Sequence, residues 1–385
     1  MSFESDSILE LHHIVHHVLT LYALGASPEQ IQSHYNNNKS YQRPPQPLDD
    51  KVVQDLNDYK KFQQYLGNEK YYHDYLVFFG REIDKKGYEK VINEYLLKGF
   101  LHPIIHLGFA LEFNQPALVA EALAQAAAHD TYMSKFFLPA EKAAATEERS
   151  KSLVELLDEI RADQKLSTAA HWNDGNKIRD GILIRAPDEM ITYASQYKVS
   201  ENELEEKTAE MTNAAVYFTG GAQHPPKQVK IDFYYMHCVN CSIFFSVFLK
   251  APWISDKNKV RLLEWKGRND LALYASRRSP KPLLDEIQNY KPVKPQQSSW
   301  DAVIERMISH EDDGHGIKLV RAIRHGQEIC KPYDGKPSFR VRNGMWDKLG
   351  NIAIDSVENS GDTWVRSAGF DEAWENFEDR PRAQL

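Results

Sequence analysis

The stretch IDFYYMHCVNCSIFFSVFLKAPW, residues 231–253, is the most apolar in the chain, and its reading decides the fold. It is long enough to cross a bilayer, but Asp232, His237, Asn240 and Lys250 interrupt it, and polar groups in hydrocarbon are costly. It reads instead as a buried helix whose polar groups must find partners inside the protein.

The flanking sequence is helical as well. Ile8, Leu11, Val15, Val18, Leu19 and Tyr22 recur at helical spacing, which predicts a helix from about Ser7 to Leu24, with Gly25 as its cap. Ser27 then caps a second helix opened by Pro28. The polar run from Asn36 to Ser40 and the prolines at 44, 45 and 47 predict a surface loop. Helical patterns resume from about Asp49 to His129, and the Ala- and Leu-rich run from Ala117 to Ala128 is a strong helix former. A further helix is expected from about Trp300 to His325. No repeat or sustained heptad occurs. The expectation is an all-α, multi-helix fold with a buried histidine-lined site. It comprises a helical domain over 1–325, an internal break marked by Gly220-Gly221 and Pro225-Pro226 (220–226), and a wrapping tail over 326–385.

Composition narrows the function. Hydrophobic residues at 42% and charged residues at 26% exclude a disordered chain and a membrane bundle. A net charge of -8, without a dense basic stripe, argues against nucleic acid and anionic membrane as partners. Three cysteines are too few for a disulfide framework, and the acidic start lacks the features of a signal peptide, so the expected location is cytoplasmic.

Chemistry-bearing residues fall in four segments. His12, His13, His16 and His17 crowd the first helix, where spacings of three and four put His13, His16 and His17 within reach of one face. The plainer reading turns His12 and His16 to solvent and leaves the others as satisfied core groups. His102 and His106 are four apart in an apolar run, a spacing at which two imidazoles can share a cation. His237 lies within the buried helix beside Cys238 and Cys241, which read as small core residues because no second cysteine pair completes a metal site. In the fourth, Glu311-Asp-Asp-Gly-His315-Gly-Ile-Lys318, His315 and Lys318 are three apart, the Glu-x-x-His spacing of carboxylate-metal bundles. A buried lysine can lose its proton and add carbon dioxide, giving a carbamate that presents carboxylate oxygens. Spacing alone favours a surface lysine paired with Asp312 or Glu311. Many aromatic residues accompany these segments and suit a flat polycyclic ligand, and no phosphate-binding glycine loop is present.

Taken together, His12-His13-Ile14-Val15-His16-His17, Leu21-Tyr22-Ala23-Leu24-Gly25-Ala26, Leu101 to Gly108, Met236-His237 and His315-Gly316-Ile317-Lys318 resemble the questin oxidase-like family, known mainly from fungal polyketide pathways. The resemblance implies an oxygen-using enzyme that oxidises an anthraquinone or related aromatic polyketide, by Baeyer-Villiger-type insertion or oxidative ring cleavage. It implies non-haem Fe(II) on His13, His102, His237, His315 and a carboxylated Lys318, and leaves NADPH open as a reductant. His16, His17 and His106 are then candidate bases for a substrate phenol. The family pattern has Asn before the first histidine where this chain has His12, which leaves the choice of ligand in that cluster open. Two other classes fit the same residues: a cofactor-independent oxygenase with a histidine base, separated by metal analysis, and a non-catalytic carrier of an aromatic metabolite, separated by oxygen uptake.

Overall fold

Helix 233–250 sits at the centre of the molecule because it has no polar face to show to water. A computed structural model describes residues 13–41, 46–95 and 102–381, apart from the side chains of 41 and 102. Its principal helices are α1 (His13–Ala23), α2 (Pro28–Asn38), α3 (Tyr72–Lys86), α4 (His102–Glu112), α5 (Pro116–Ala128), α6 (Leu204–Gly221), α7 (Phe233–Lys250), α8 (Asp256–Ser276), α9 (Trp300–Ser309), α10 (His315–Cys330) and α11 (Trp346–Glu358). Among the described residues the only sheet is a parallel pair, β1 (Ile231–Asp232) beside β2 (Trp364–Val365). The chain is all-α, as its sequence pattern predicts.

Helices α4, α6, α8 and α10 surround α7, whose residues from Tyr235 to Phe245 are all buried. Gly108 sets the distance to α4, since a Cβ there would lie 2.1 Å from Cγ of Phe244. The start of α7 is held by its N-cap. Asp232 caps the helix by accepting from the Tyr234 and Tyr235 N–H groups, while its other oxygen accepts from Ser367 and Ala368, both at 2.7 Å. That carboxylate therefore ties the end of the chain to the start of the central helix. Cys238 and Cys241 are fully buried free thiols beside the buried Lys266–Asp270 ion pair, and burial pushes the Cys241 thiol up to about 12. They are core residues, as read.

Two boundaries differ from the sequence reading, and a third falls outside the described residues. The expected first helix is described only from His13, so Ser7 to His12 lie outside the described residues. Helix α2 starts with Ser27 and Gln30 in a reciprocal capping box, yet runs on to Asn38 rather than ending near Asn36. Asn38 Nδ2 supports the last turn by donating to the carbonyls of His34 and Asp312. The helix expected over 300–325 is two helices, because Asp312 accepts from the N–H groups of Gly314 and Gly316, and Gly314 turns the chain at φ +88°. Residue 325 falls inside α10, against which α11 packs, and the elements flanking 220–226, α6 and α7, lie side by side. No helix among the described residues is long and apolar enough to cross a membrane.

Candidate active site

The turn that breaks 300–325 also builds the site. A Cβ on Gly314 would lie 2.5 Å from Cγ of His17, and its backbone is left-handed, so glycine is required twice over. With nothing larger there, the start of α10 seats against α1. His315 then meets His13 edge-on, ring centroids 4.8 Å apart. Asp313 Oδ1 is 2.6 Å from His315 Nδ1, off the line of a ring N–H hydrogen bond. His13, Asp313 and His315 offer ligand atoms that all lie within 4.8 Å of one another. The neighbouring protein disfavours charge on Asp313, but His315, Lys318 and His13 outweigh it and hold the carboxyl below the usual range.

From α7, His237 comes within 5.2 Å of His315, centroid to centroid. Its Nδ1 is 2.7 Å from the Phe233 carbonyl, which can only accept, so Nδ1 carries the proton and Nε2 the lone pair. Metal-binding histidines are commonly oriented in this way. The Phe233 ring packs against both His237 and His315, with Trp364 and the Arg366 guanidinium also against it.

Lys318, one turn beyond His315, is only 6% exposed, which corrects its reading as a surface lysine. Glu311 pairs with Asn37 instead. Burial lowers the Lys318 ammonium to about 8, against the pull of Asp313 and Asp312. Its side chain borders a cavity of about 10 Å³ with Thr20, Phe109 and Asn240.

The three candidate bases are all buried but differ in surroundings. His17 turns to His34, rings 4.8 Å apart, and burial, then His34 and Lys318, hold it down to about 3. So weak a base stays neutral at ordinary pH. His16 is not solvent-facing: its ring stacks on Phe109, and its Nε2 is 2.8 Å from His106 Nδ1. His106 Nε2 is in turn 3.0 Å from Glu121 Oε2 on α5.

Of the expected residues, His13, His237 and His315 converge, with Lys318 a turn away, while His16 and His106 form a separate pair and His17 packs behind Gly314. His102 opens α4, but its side chain lies outside the described residues, as does His12. The sequence reading missed Asp313 and Glu121. Signals existed for both: an acidic run directly before His315, and a lone charge in an otherwise uncharged helix 116–128.

Residues 11–323, which include every one of these positions, match the family model described as questin oxidase-like. The chain is 39% identical to the Baeyer-Villiger oxidase ptaJ of Pestalotiopsis fici over 94% of its own length and 86% of the relative's. It is 39% identical to the oxidoreductase AflY of Aspergillus parasiticus, over 94% and 77%. It is 35% identical to the questin oxidase of Aspergillus terreus, over 94% and 86%. Likeness at that level, sustained from α1 through α10, makes this chain an oxidoreductase that belongs to the questin oxidase-like family.

Proposed function

We propose that the protein is an oxygenase that attacks a ring carbonyl of a hydroxylated anthraquinone or related aromatic polyketide at an Fe(II) site in the histidine cluster. The observation that carries this reading is the meeting of His13, Asp313, His237 and His315, with His315 Nε2 buried and without a hydrogen-bond partner among the described residues. A buried imidazole nitrogen left unpaired is costly, and a cation removes that cost. Imidazoles with a carboxylate are also the donor set of non-haem Fe(II) oxygenases. The names of the relatives, Baeyer-Villiger oxidases and a questin oxidase, support the same reaction class.

In this reading His13, His237 and His315 supply imidazole nitrogens and Asp313 a carboxylate. Fe(II), when bound, couples dioxygen to an electron-rich substrate and removes the spin barrier to their direct reaction. Lys318 adds a further oxygen donor. At a pKa of about 8, roughly a fifth of its amine is unprotonated at about pH 7.4, against about one part in a thousand for an ordinary lysine. The free amine adds carbon dioxide and releases one proton, leaving a carbamate. Trp364, half-buried beside the cluster, offers an aromatic face on which a planar substrate stacks. Insertion places one oxygen atom between the carbonyl carbon and its neighbour and releases the other as water. The two electrons and two protons this requires come from NADPH and solvent, whereas ring cleavage that keeps both atoms needs no reductant. Three free cysteines support a reducing, cytoplasmic setting.

A metal-free oxygenase draws on one observation of its own, the hydrogen-bonded His16–His106 pair, which is suited to deprotonating a phenol. Oxygen uptake with a hydroxylated anthraquinone, with and without NADPH and with metal content measured in parallel, decides among the readings. Uptake by iron-loaded protein is the expected result. Uptake without any metal supports the metal-free reading, and binding without uptake makes the protein a carrier.

A further inference from the structure

Two arginines are buried among the described residues, and their surroundings differ. Arg268 donates to Glu264 and to the carbonyls of Ala194 and Tyr197. Arg277, just past the end of α8, is 4% exposed, with its guanidinium carbon 3.7 Å from the Tyr234 ring centroid. It makes no hydrogen bond or ion pair among the described residues, and its Nε is buried without a partner. A buried cation in that position is costly. The carboxylates around it are already committed. Asp232 accepts from four backbone N–H groups, and Asp174 accepts from the Arg185 guanidinium and the His171 N–H. Arg277 borders a cavity of about 40 Å³, and so does a second buried cation, Lys177. The Lys177 amine donates only to backbone carbonyls, those of Trp172 and Asp174. Burial, and then the charge of Arg277, lower its ammonium, so each cation works against the other.

We propose that Arg277 and Lys177 hold an oxyanion of the phosphate class in this cavity. Its volume exceeds the roughly 10–15 Å³ that one water needs and suits a small polyatomic ion. Such an ion offers several acceptor oxygens to a planar guanidinium fork and an ammonium, and charge-assisted bonds of that kind offset the cost of burying both cations. The Tyr234 face backs the guanidinium plane and leaves its N–H edge to donate. Asn176 Oδ1 accepts from the N–H groups of Ile178 and Arg179 and so fixes the helical turn Lys177–Ile182 that presents Lys177. Arg179 is paired with Asp180 and does not compete for the ion. None of the metal-ligand candidates borders this cavity, so the site stands apart from the histidine cluster and does not depend on the functional reading above.

The test titrates the full chain with inorganic phosphate against chloride at constant ionic strength, and reads melting temperature and calorimetric binding in wild type, Arg277→Met and Lys177→Gln. The expected result is a saturable rise in the wild-type melting temperature, with a Kd raised about 10-fold or more in Arg277→Met and raised also in Lys177→Gln. Without phosphate, Arg277→Met should melt at or above the wild-type temperature, because the substitution removes a buried cation that nothing else pairs. A free ion and the phosphate of a larger ligand share this chemistry, and parallel titrations with NADPH and NADH separate them. Stronger binding of NADPH than of NADH or phosphate, lost in Arg277→Met, assigns the site to a nucleotide phosphate, whereas phosphate binding without that preference assigns it to a free ion. No saturable response of wild type to phosphate or NADPH overturns the proposal, as does wild-type affinity in folded Arg277→Met. Should that variant not fold, the wild-type titration and Lys177→Gln still decide.

Discussion

Gly314 presses directly on His17, so closely that a methyl group at position 314 would come within 2.5 Å of the imidazole Cγ. The same glycine turns the chain in the left-handed region. Gly314→Ala combines backbone strain with overpacking and should cost about 3 kcal/mol of stability. It should also displace His315 from His13 and weaken metal binding. Thermal melting together with iron titration checks this, and a variant with wild-type values in both would remove Gly314 from the architecture of the site.

His17 gives the metal-free protein an acid-sensitive element. Its folded pKa of about 3 lies below the ordinary 6.5, so between those values the unfolded chain takes a proton that the folded chain refuses. The stability linked to His17 is complete above about pH 6.5 and is lost progressively as pH falls toward 3. His17→Gln should flatten this limb of a denaturant-midpoint profile by a few kcal/mol across that window. An unchanged slope would show that His17 is not held neutral.

Lys318 has a linkage of the same sign in a higher pH window. In metal-free protein without carbon dioxide, the buried ammonium is destabilising below its folded pKa of about 8, and the penalty is relieved as pH rises toward 10.5. Lys318→Met should therefore stabilise the apoprotein at neutral pH by about 3 kcal/mol, a gain that disappears by about pH 10.5. The same substitution should abolish any bicarbonate stimulation of iron binding. Urea denaturation across pH and iron binding with and without bicarbonate measure both effects. Wild-type bicarbonate dependence in the variant would exclude a carbamate at Lys318.

Much of the fold was legible because local chemistry and tertiary context agree. The apolar run around His237 has no wet face to offer, so burial was its only option, and Ser27 with Pro28 fixes the start of α2 without outside help. The break between α9 and α10 was not legible. Helical spacing continues through it, and only the side chain of Asp312 folded back on Gly314 and Gly316 reveals the turn. The site divides in the same way. Histidines in apolar helices announce themselves because buried imidazoles need partners. The burial of Lys318 depends on Thr20 and Asn240 from other helices, and the meeting of Glu121 with His106 depends on how α4 and α5 pack. Neither can be read from one segment alone.

The most direct test of the central claim is elemental analysis of the wild-type protein purified from iron-supplemented cells beside His315→Ala and Asp313→Asn. About one iron per chain in wild type, lost in His315→Ala and diminished in Asp313→Asn with both variants still folded, is the predicted result. Full iron occupancy in His315→Ala, or oxygen-consuming wild-type protein that holds no iron, would contradict the account.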